Sequence, residues 1–354
     1  MADRHDLPSH EPSVTIILPI RNERQYIEQC LKGVLTQDYP QDKIEVLVVD
    51  GMSTDGTREI VTAFAARDSR LRLLDNPQCI VPTALNRGIE AGQGAVIIRV
   101  DGHAVIAPDY VRRCIDALDR VKADCVGGAI RTVGMTLVAR AIALAQSSPF
   151  GVGNAAFRYT TRPQYVDTLA FGAYRREVFD QIGLFDEDLV RNQDDEFNFR
   201  LLRNGGKIWL DPSIRSDYFS RSSLRGLWRQ YLEYGFWKVR VIQKHGRPAS
   251  WRHLVPPAFV LALLGSIALD VSFDSVAYTL FVIVPYLLVS LVVSGRVAER
   301  NGWRYFSILP FAFGIMHFAY GLGFLLGMVR FSWVKHSGYK AANETIISSD
   351  SGDR

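Results

Sequence analysis

IIRVDGHAVI, residues 97–106, decides how this chain is read, because an apolar strand runs directly into Asp101 and His103 with one glycine between them. Side chains at i and i+2 of an extended backbone point to the same side, so a carboxylate and an imidazole so placed can hold Mn²⁺ or Mg²⁺. Open α/β sheets bind ligands outside the carboxyl ends of their strands, which is where this pair would fall. The same letters also spell a turn, with Asp101 as an Asx-type turn residue and Gly102 at positive φ. The flanking sequence favours the first reading.

Upstream, VTIILPI (14–20) and IEVLVVD (44–50) are short apolar runs rich in β-branched residues, and helical patterns follow at 23–36 and 55–68. Further strands are expected at 71–74, 95–101 and 124–130, with helices at 82–92 and 108–121. Such alternation predicts an α/β fold with a mostly parallel sheet covered on both faces. The first strand leads into PIRNE instead of G-x-G-x-x-G, and G-x-x-x-x-G-K-[ST] occurs nowhere. Both observations argue against a dinucleotide dehydrogenase and a P-loop NTPase.

The chain has 354 residues, 48% of them hydrophobic, and the excess lies after residue 253. Residues 254–269 and 275–295 contain no charged residue, and 305–329 contain one histidine, His317, and no Asp, Glu, Lys or Arg. Against the roughly 20 apolar residues that cross a bilayer, three membrane segments are expected, at 254–272, 275–295 and 305–329. Residues 1–13 have no apolar core of a signal peptide and read as a flexible N-terminus, so the globular part stays in the cytoplasm. Cys30, Cys79, Cys114 and Cys125 are scattered without C-x-x-C spacing, as suits a reducing compartment. The expected organisation is a catalytic domain at 14–221, interfacial amphipathic helices at 222–252, a transmembrane region at 253–334 and a flexible tail at 335–354.

Positive charge is concentrated just before the membrane segments. Residues 200–252 hold twelve Lys/Arg against three Asp/Glu, although the whole chain is only +4. Anionic lipid headgroups and diphosphates are the natural partners of such a stretch, and nucleic acid is not, since no reader motif accompanies it. Asp270 and Asp274 between the first two segments and Arg296, Arg300 and Arg304 after the second place those loops outside and inside, respectively. Arg330, Lys335 and Lys340 then conflict with a third full crossing. His317, Gly321, Gly323 and Gly327 are compatible with close packing or with a re-entrant segment.

Six blocks in order, LPIRNE (18–23), VVDGMSTDGT (48–57), ALNRGI (84–89), RVDGHA (99–104), GAYRREVFDQIGLFDE (172–187) and QDDEFNFRL (193–201), resemble the family 2 glycosyltransferases of GT-A fold over about 14–250. RVDGHA and QYLEYGFWK, with the short C-terminal membrane region, look most like the succinoglycan-type glucosyltransferases that act on polyprenyl-diphosphate-linked sugars. The resemblance implies that Asp50 recognises the uracil edge of a UDP-sugar, with Pro19, Arg21 and Glu23 forming the other pocket wall. It gives Asn86 and Arg99 sugar or phosphate contacts. Asp101 and His103 stand at the first and last positions of the family's D-x-D, histidine replacing the second carboxylate. Asp101 would bind a divalent cation, Mn²⁺ or Mg²⁺, while His103 is either a second ligand, which favours Mn²⁺, or a donor to phosphate.

Asp194 is the expected catalytic base, with Gln193 where the family carries a glutamate; helix N-capping by Asp194 or Asp195 is the plain alternative. The stretch 229–247 reads as an interfacial helix, with Gln230, Trp237 and Lys238 as acceptor or diphosphate contacts or simply as membrane anchors. Gln230 only partly matches the Q-x-x-R-W of processive synthases, and three spans leave little material for a polymer channel, so addition of one sugar is expected. The reaction is an inverting transfer from a UDP-sugar, glucose by resemblance, to a polyprenyl-linked saccharide at the cytoplasmic face of the inner membrane. A synthase of polyprenyl-phosphate monosaccharides and a non-catalytic nucleotide-sugar-binding scaffold are the alternatives.

Overall fold

The computed structural model describes residues 11–333. Most of the N-terminal stretch 1–13, and the tail 335–354 with Lys335 and Lys340, lie outside the described residues. The first half alternates as expected: β1 (Val14–Ile20), α1 (Ile27–Leu35), β2 (Ile44–Asp50), α2 (Thr57–Ala65), β3 (Leu71–Asp75), α3 (Val81–Ala91) and β4 (Val96–Arg99). Next come β5 (Ala104–Ile106), α4 (Tyr110–Val121), β6 (Cys125–Val133), α5 (Leu137–Gln146), α6 (Pro149–Val152), β7 (Gln164–Tyr165), β8 (Ala173–Arg175), α7 (Arg176–Ile182), α8 (Gln193–Arg203) and β9 (Ile208–Phe219). The C-terminal part is helical: α9 (Leu224–His245), α10 (Val255–Phe273), α11 (Ala277–Asn301) and α12 (Leu309–Trp333).

Among the described residues one sheet runs β3-β2-β1-β4-β8-β6-β9-β5, with β7 pairing to β9. Its first four strands are parallel, with Ile17 facing Leu47 and Arg99 on either side. The other half is mixed, because β8 runs antiparallel to both β4 and β6 and β5 runs antiparallel to β9. The buried runs Ile16–Leu18 and Val46–Val49 are apolar on both faces, as a sheet covered by helices on each side requires. All four parallel strands end on one edge, so the chain after Ile20, Asp50 and Arg99 gathers there.

Among the described residues three helices are long and apolar enough to cross a membrane: Trp251–Phe273, Ala277–Asn301 and Leu309–Ser332. The third expected segment starts later than residue 305, after a short 3-10 turn at Trp303–Tyr305, and is one unbroken helix with no re-entrant shape. Its glycines serve close packing. A Cβ on Gly323 would strike the carbonyl of Leu232, one on Gly235 the carbonyl of Tyr320, and one on Gly321 would come within 2.5 Å of the Pro256 carbonyl. Thus α12 lies against α9 and α10 at backbone contact distance and ties the apolar helices to the sheet domain. Asp270 is not a loop charge: it accepts from the backbone N–H groups of Tyr278 and Thr279, both at 2.9 Å, and so closes the α10–α11 hairpin at the N-terminus of α11.

Candidate active site

The loops after β1 and β2 are laced together at the sheet edge. Asn22, in the left-handed region at φ 55°, donates its N–H to Ser53 Oγ at 2.8 Å, and its Oδ1 accepts from Thr54 N at 2.9 Å. Glu23 N donates to Thr57 Oγ1 at 2.9 Å. Pro19, Arg21 and Glu23 then line a cleft of about 1960 Å³ with Thr54, Asp55 and Asn76. Asp50 does not reach that surface. It is fully buried, with Ser53 and the Arg58 guanidinium (2.7 Å) on its carboxylate, and Arg58 continues to Asp75. The carboxylate therefore orders the 51–57 loop from behind the wall. Asn86 is likewise turned away: its amide donates to the Phe185 carbonyl and Glu187 Oε1, both at 2.9 Å, and accepts from Phe185 N, which pins α3 to the segment after α7.

Asp101 lies in a tight turn closed by Ala104 N donating to the Asp101 carbonyl at 2.9 Å. Gly102 is not at positive φ; a Cβ there would come within 2.8 Å of Ile20 and 2.9 Å of Glu23, so glycine lets the β1 loop close over the turn. Asp101 Oδ1 accepts from Arg99 Nε at 3.0 Å and is ion-paired with Nη2 at 2.9 Å, while Oδ2 has no hydrogen-bond partner among the described residues. His103 lines the same cleft as Asp101. Its Nδ1 sits 2.9 Å from Glu23 Oε1. Burial disfavours its charged form, but Glu23, Tyr218 and Asp101 outweigh it and push the imidazole up to about 10. In this arrangement the imidazole is paired with Glu23, while Asp101 is paired with Arg99.

Asp194 approaches from the other side. The N-cap of α8 is Asn192, left-handed at φ 63° and without a side-chain cap bond, so neither acid caps the helix. Asp194 lines the cleft, accepts from Asp195 N at 3.0 Å and lies 3.7 Å from Arg99 Nη1, an atom with no hydrogen-bond partner among the described residues. Arg99 thus stands between Asp101 and Asp194, carboxylates 93 residues apart in sequence. Burial raises the Asp194 carboxyl above its ordinary range, Arg99 pulls it back, and Asp195 pushes it up again. Asp195 behaves oppositely. Burial would raise it, but the Lys238 ammonium bonded to it, with His253 and Arg252, holds it well below the usual carboxylate range; Thr168 Oγ1 also donates to it at 2.9 Å. Glu196 belongs to the scaffold, gripped by Arg200 and by His245 of α9.

Gln230, Trp237 and Lys238 of α9 all line the cleft. Lys238 is buried at the cleft on Asp195, Gln230 bonds Tyr234 Oη at 2.9 Å, and Trp237, 3% exposed, packs against Phe236 and Phe331. In the sequence Asp195 stands out only as a helix-capping candidate, and Arg252 and His253 not at all. The doubled aspartate at 194–195 was a signal, but Arg252 and His253 look like membrane-flanking charge until the fold brings them to the cleft.

The Glycosyl transferase family 2 model matches residues 15–183, and the chain is 30% identical over 326 residues, 90% of it and 96% of the relative, to the succinoglycan biosynthesis protein ExoA of Rhizobium meliloti. The chain belongs to glycosyltransferase family 2. It is also 28% identical over 325 residues (90% of the chain, 97% of the relative) to a Methanococcus voltae dolichyl N-acetyl-alpha-D-glucosaminyl phosphate 3-beta-D-2,3-diacetamido-2,3-dideoxy-beta-D-glucuronosyltransferase. In fold, this family 2 glycosyltransferase is similar to the mannosyltransferase PcManGT from Pyrobaculum calidifontis in complex with GDP-Man and Mn²⁺, with TM-score 0.57 at 20% identity over 89% of this chain and 88% of that one. The mixed, curled sheet is the GT-A arrangement.

Among the described residues no group of three or more His, Cys, Asp and Glu is placed to hold a metal ion. The side chains fit a cation that a diphosphate shares: Asp101 keeps one oxygen without a hydrogen-bond partner among the described residues, and Mg²⁺-type sites commonly combine one or two carboxylates with substrate phosphates.

Proposed function

We propose that this glycosyltransferase moves one sugar, glucose in our reading, from a UDP-sugar to a polyprenyl-linked saccharide at the cytoplasmic face of the inner membrane, with inversion. One observation carries the reading: a single cleft runs from Pro19, Arg21 and Asp101 past Asp194 to Val255, Phe259 and Tyr286 of the apolar helices. Ligand pockets for one small molecule are about 300–1,000 Å³, so a cleft of about 1960 Å³ has room for two substrates. The relatives agree in kind, one named for succinoglycan biosynthesis and one for a dolichyl-linked acceptor.

In this mechanism Pro19, Arg21 and Glu23 take the nucleoside, with Asp50 holding the opposite loop in shape. Arg99 sets the spacing of Asp101 and Asp194. A divalent cation, Mn²⁺ or Mg²⁺, held by Asp101 and the donor's phosphates would neutralise the leaving nucleotide. His103, tethered to Glu23 through Nδ1 and lining the same cleft, would donate to those phosphates. Asp194 takes the proton of the acceptor hydroxyl as that oxygen attacks the anomeric carbon, and its raised affinity for protons suits a base. Purified protein incubated with a panel of nucleotide sugars and a bacterial lipid extract tests this. A lipid-linked saccharide heavier by one hexose is expected with UDP-glucose; a product of one sugar on a lipid phosphate points to the monosaccharide synthase, and no lipid product with any donor refutes the transfer.

A further inference from the structure

Donor chemistry leaves a polar cluster at the membrane end of the cleft unused. The 3-10 turn Trp251–Leu254 leads into α10 and brings Arg252 and His253 to it. Arg252 Nη1 donates to Asn154 Oδ1 at 2.6 Å and to Asp167 Oδ2 at 2.8 Å, which leaves Nε and Nη2 to donate elsewhere. Lys238 arrives from α9 with one proton committed to Asp195. Two buried atoms there have no hydrogen-bond partner among the described residues, His253 Nδ1 and the Tyr320 hydroxyl of α12; His253 is only 7% exposed. Burying unpaired polar atoms is costly, so a polar ligand at this spot recovers what the protein alone forfeits.

Below the cluster the lining turns apolar. Pro256, Phe259, Tyr286 and Met316 continue the cleft between α10, α11 and α12. Phe259 stacks on Tyr286 at 4.6 Å, and the Tyr286 hydroxyl lies 2.9 Å from His317 Nδ1, whose Nε2 is 2.8 Å from the Phe150 carbonyl. His317 thus fixes the wall and is not available to a ligand. Four donor groups from three elements above an aromatic wall match an amphiphile with an anionic head. A free nucleotide would gain nothing from the wall.

We propose that Arg252, His253, Tyr320 and Lys238 hold the phosphate that joins a polyprenyl chain to its first sugar, with the first isoprene units against Pro256, Phe259 and Tyr286. This rests on the reading of the chain as a transferase to lipid-linked saccharides, and it adds where the lipid enters. The distance from this cluster to Asp194 then selects which sugar of the acceptor is extended.

Full-length protein in nanodiscs tests the site with a polyprenyl diphosphate carrying a diazirine near its first isoprene unit. Photolabel is expected in peptides containing Phe259, Tyr286 or Met316, competed by unlabelled polyprenyl diphosphate and not by excess phosphatidylglycerol. Tyr320→Phe and His253→Phe remove buried polar atoms with no hydrogen-bond partner among the described residues, so thermal stability and UDP affinity should stay at wild-type values. Each should weaken competed labelling and raise the acceptor KM on the order of tenfold, the effect of losing a hydrogen bond to a charged group. Label confined to lipid-facing positions such as Phe281, equal competition by phosphatidylglycerol, or an unchanged acceptor KM in both variants overturns the proposal. If wild type extends no lipid-linked saccharide, the functional reading falls separately, while competed labelling still supports the site; if wild type transfers and both variants match it, only the site falls.

Discussion

Replacing the two adjacent acids one at a time should separate catalysis from stability. Asp194 makes one backbone bond, which an asparagine Oδ1 can keep, and a long 3.7 Å approach to Arg99. Asp194→Asn should therefore fold normally while losing the proton acceptor, a loss of about 10²–10⁴-fold in kcat, or about 3–5 kcal/mol of barrier. Asp195 instead neutralises Lys238, whose side chain is 4% exposed. Asp195→Asn strands that ammonium, and breaking one side of a buried pair costs about 3–5 kcal/mol, a fall in Tm of roughly 10 °C for a domain of this size. The acid limb of the rate profile adds a third reading. Asp194 is raised by burial and further by Asp195, so the wild-type limb lies above the ordinary carboxylate range and moves to lower pH in Asp195→Asn. Turnover with a fixed nucleotide sugar and lipid acceptor, beside thermal melts in detergent, measures all three. Near-normal turnover in Asp194→Asn, or a kcat loss in Asp195→Asn with no change in melting, would refute the assignment of roles.

Three further outcomes are expected. Chelation should abolish transfer, and Asp101→Ala should weaken UDP binding in Mn²⁺ but not without metal; equal binding of both proteins in Mn²⁺ removes Asp101 from the site. The His103–Glu23 pair has its imidazole raised from 6.5 to about 10, so its stabilisation is complete below about pH 6.5 and is lost as pH rises through about 10; alkaline melts should show that loss in wild type and not in His103→Asn. In spheroplasts of a strain lacking the native cysteines, a cysteine at Ser275 should react with an impermeant thiol reagent and one at Asn301 should not, and strong labelling at Asn301 would reverse the proposed orientation. A cysteine at Gly338, outside the described residues, should also react if α12 crosses completely.

The sequence by itself determined the first half of the sheet, because β1, β2 and β4 are parallel strands buried on both faces and therefore read as apolar runs rich in β-branched residues, with β3 as the shorter edge strand beside β2. It also determined the apolar helices, whose length against the bilayer is a property of composition alone. The strand-end pattern brought Asp101 into view and the family resemblance Asp194, as separate motifs. Only the tertiary structure decided what lies beside each. β8 is not legible because three residues carry no periodicity, and β9 because its pairing with β6 shifts register across Asp211–Ile214. Arg99 between Asp101 and Asp194, His103 taken by Glu23, Asp50 taken by Arg58, and Asn86 spent on Phe185 all depend on contacts between residues distant in the chain, apart from the Arg99–Asp101 and Asp50–Arg58 pairs. The position of Arg252 and His253 depends on the backbone contact of Gly235, Gly321 and Gly323 between α9, α10 and α12. Glycine spacing shows that helices can approach closely, but which helix approaches which is fixed only when the whole chain packs.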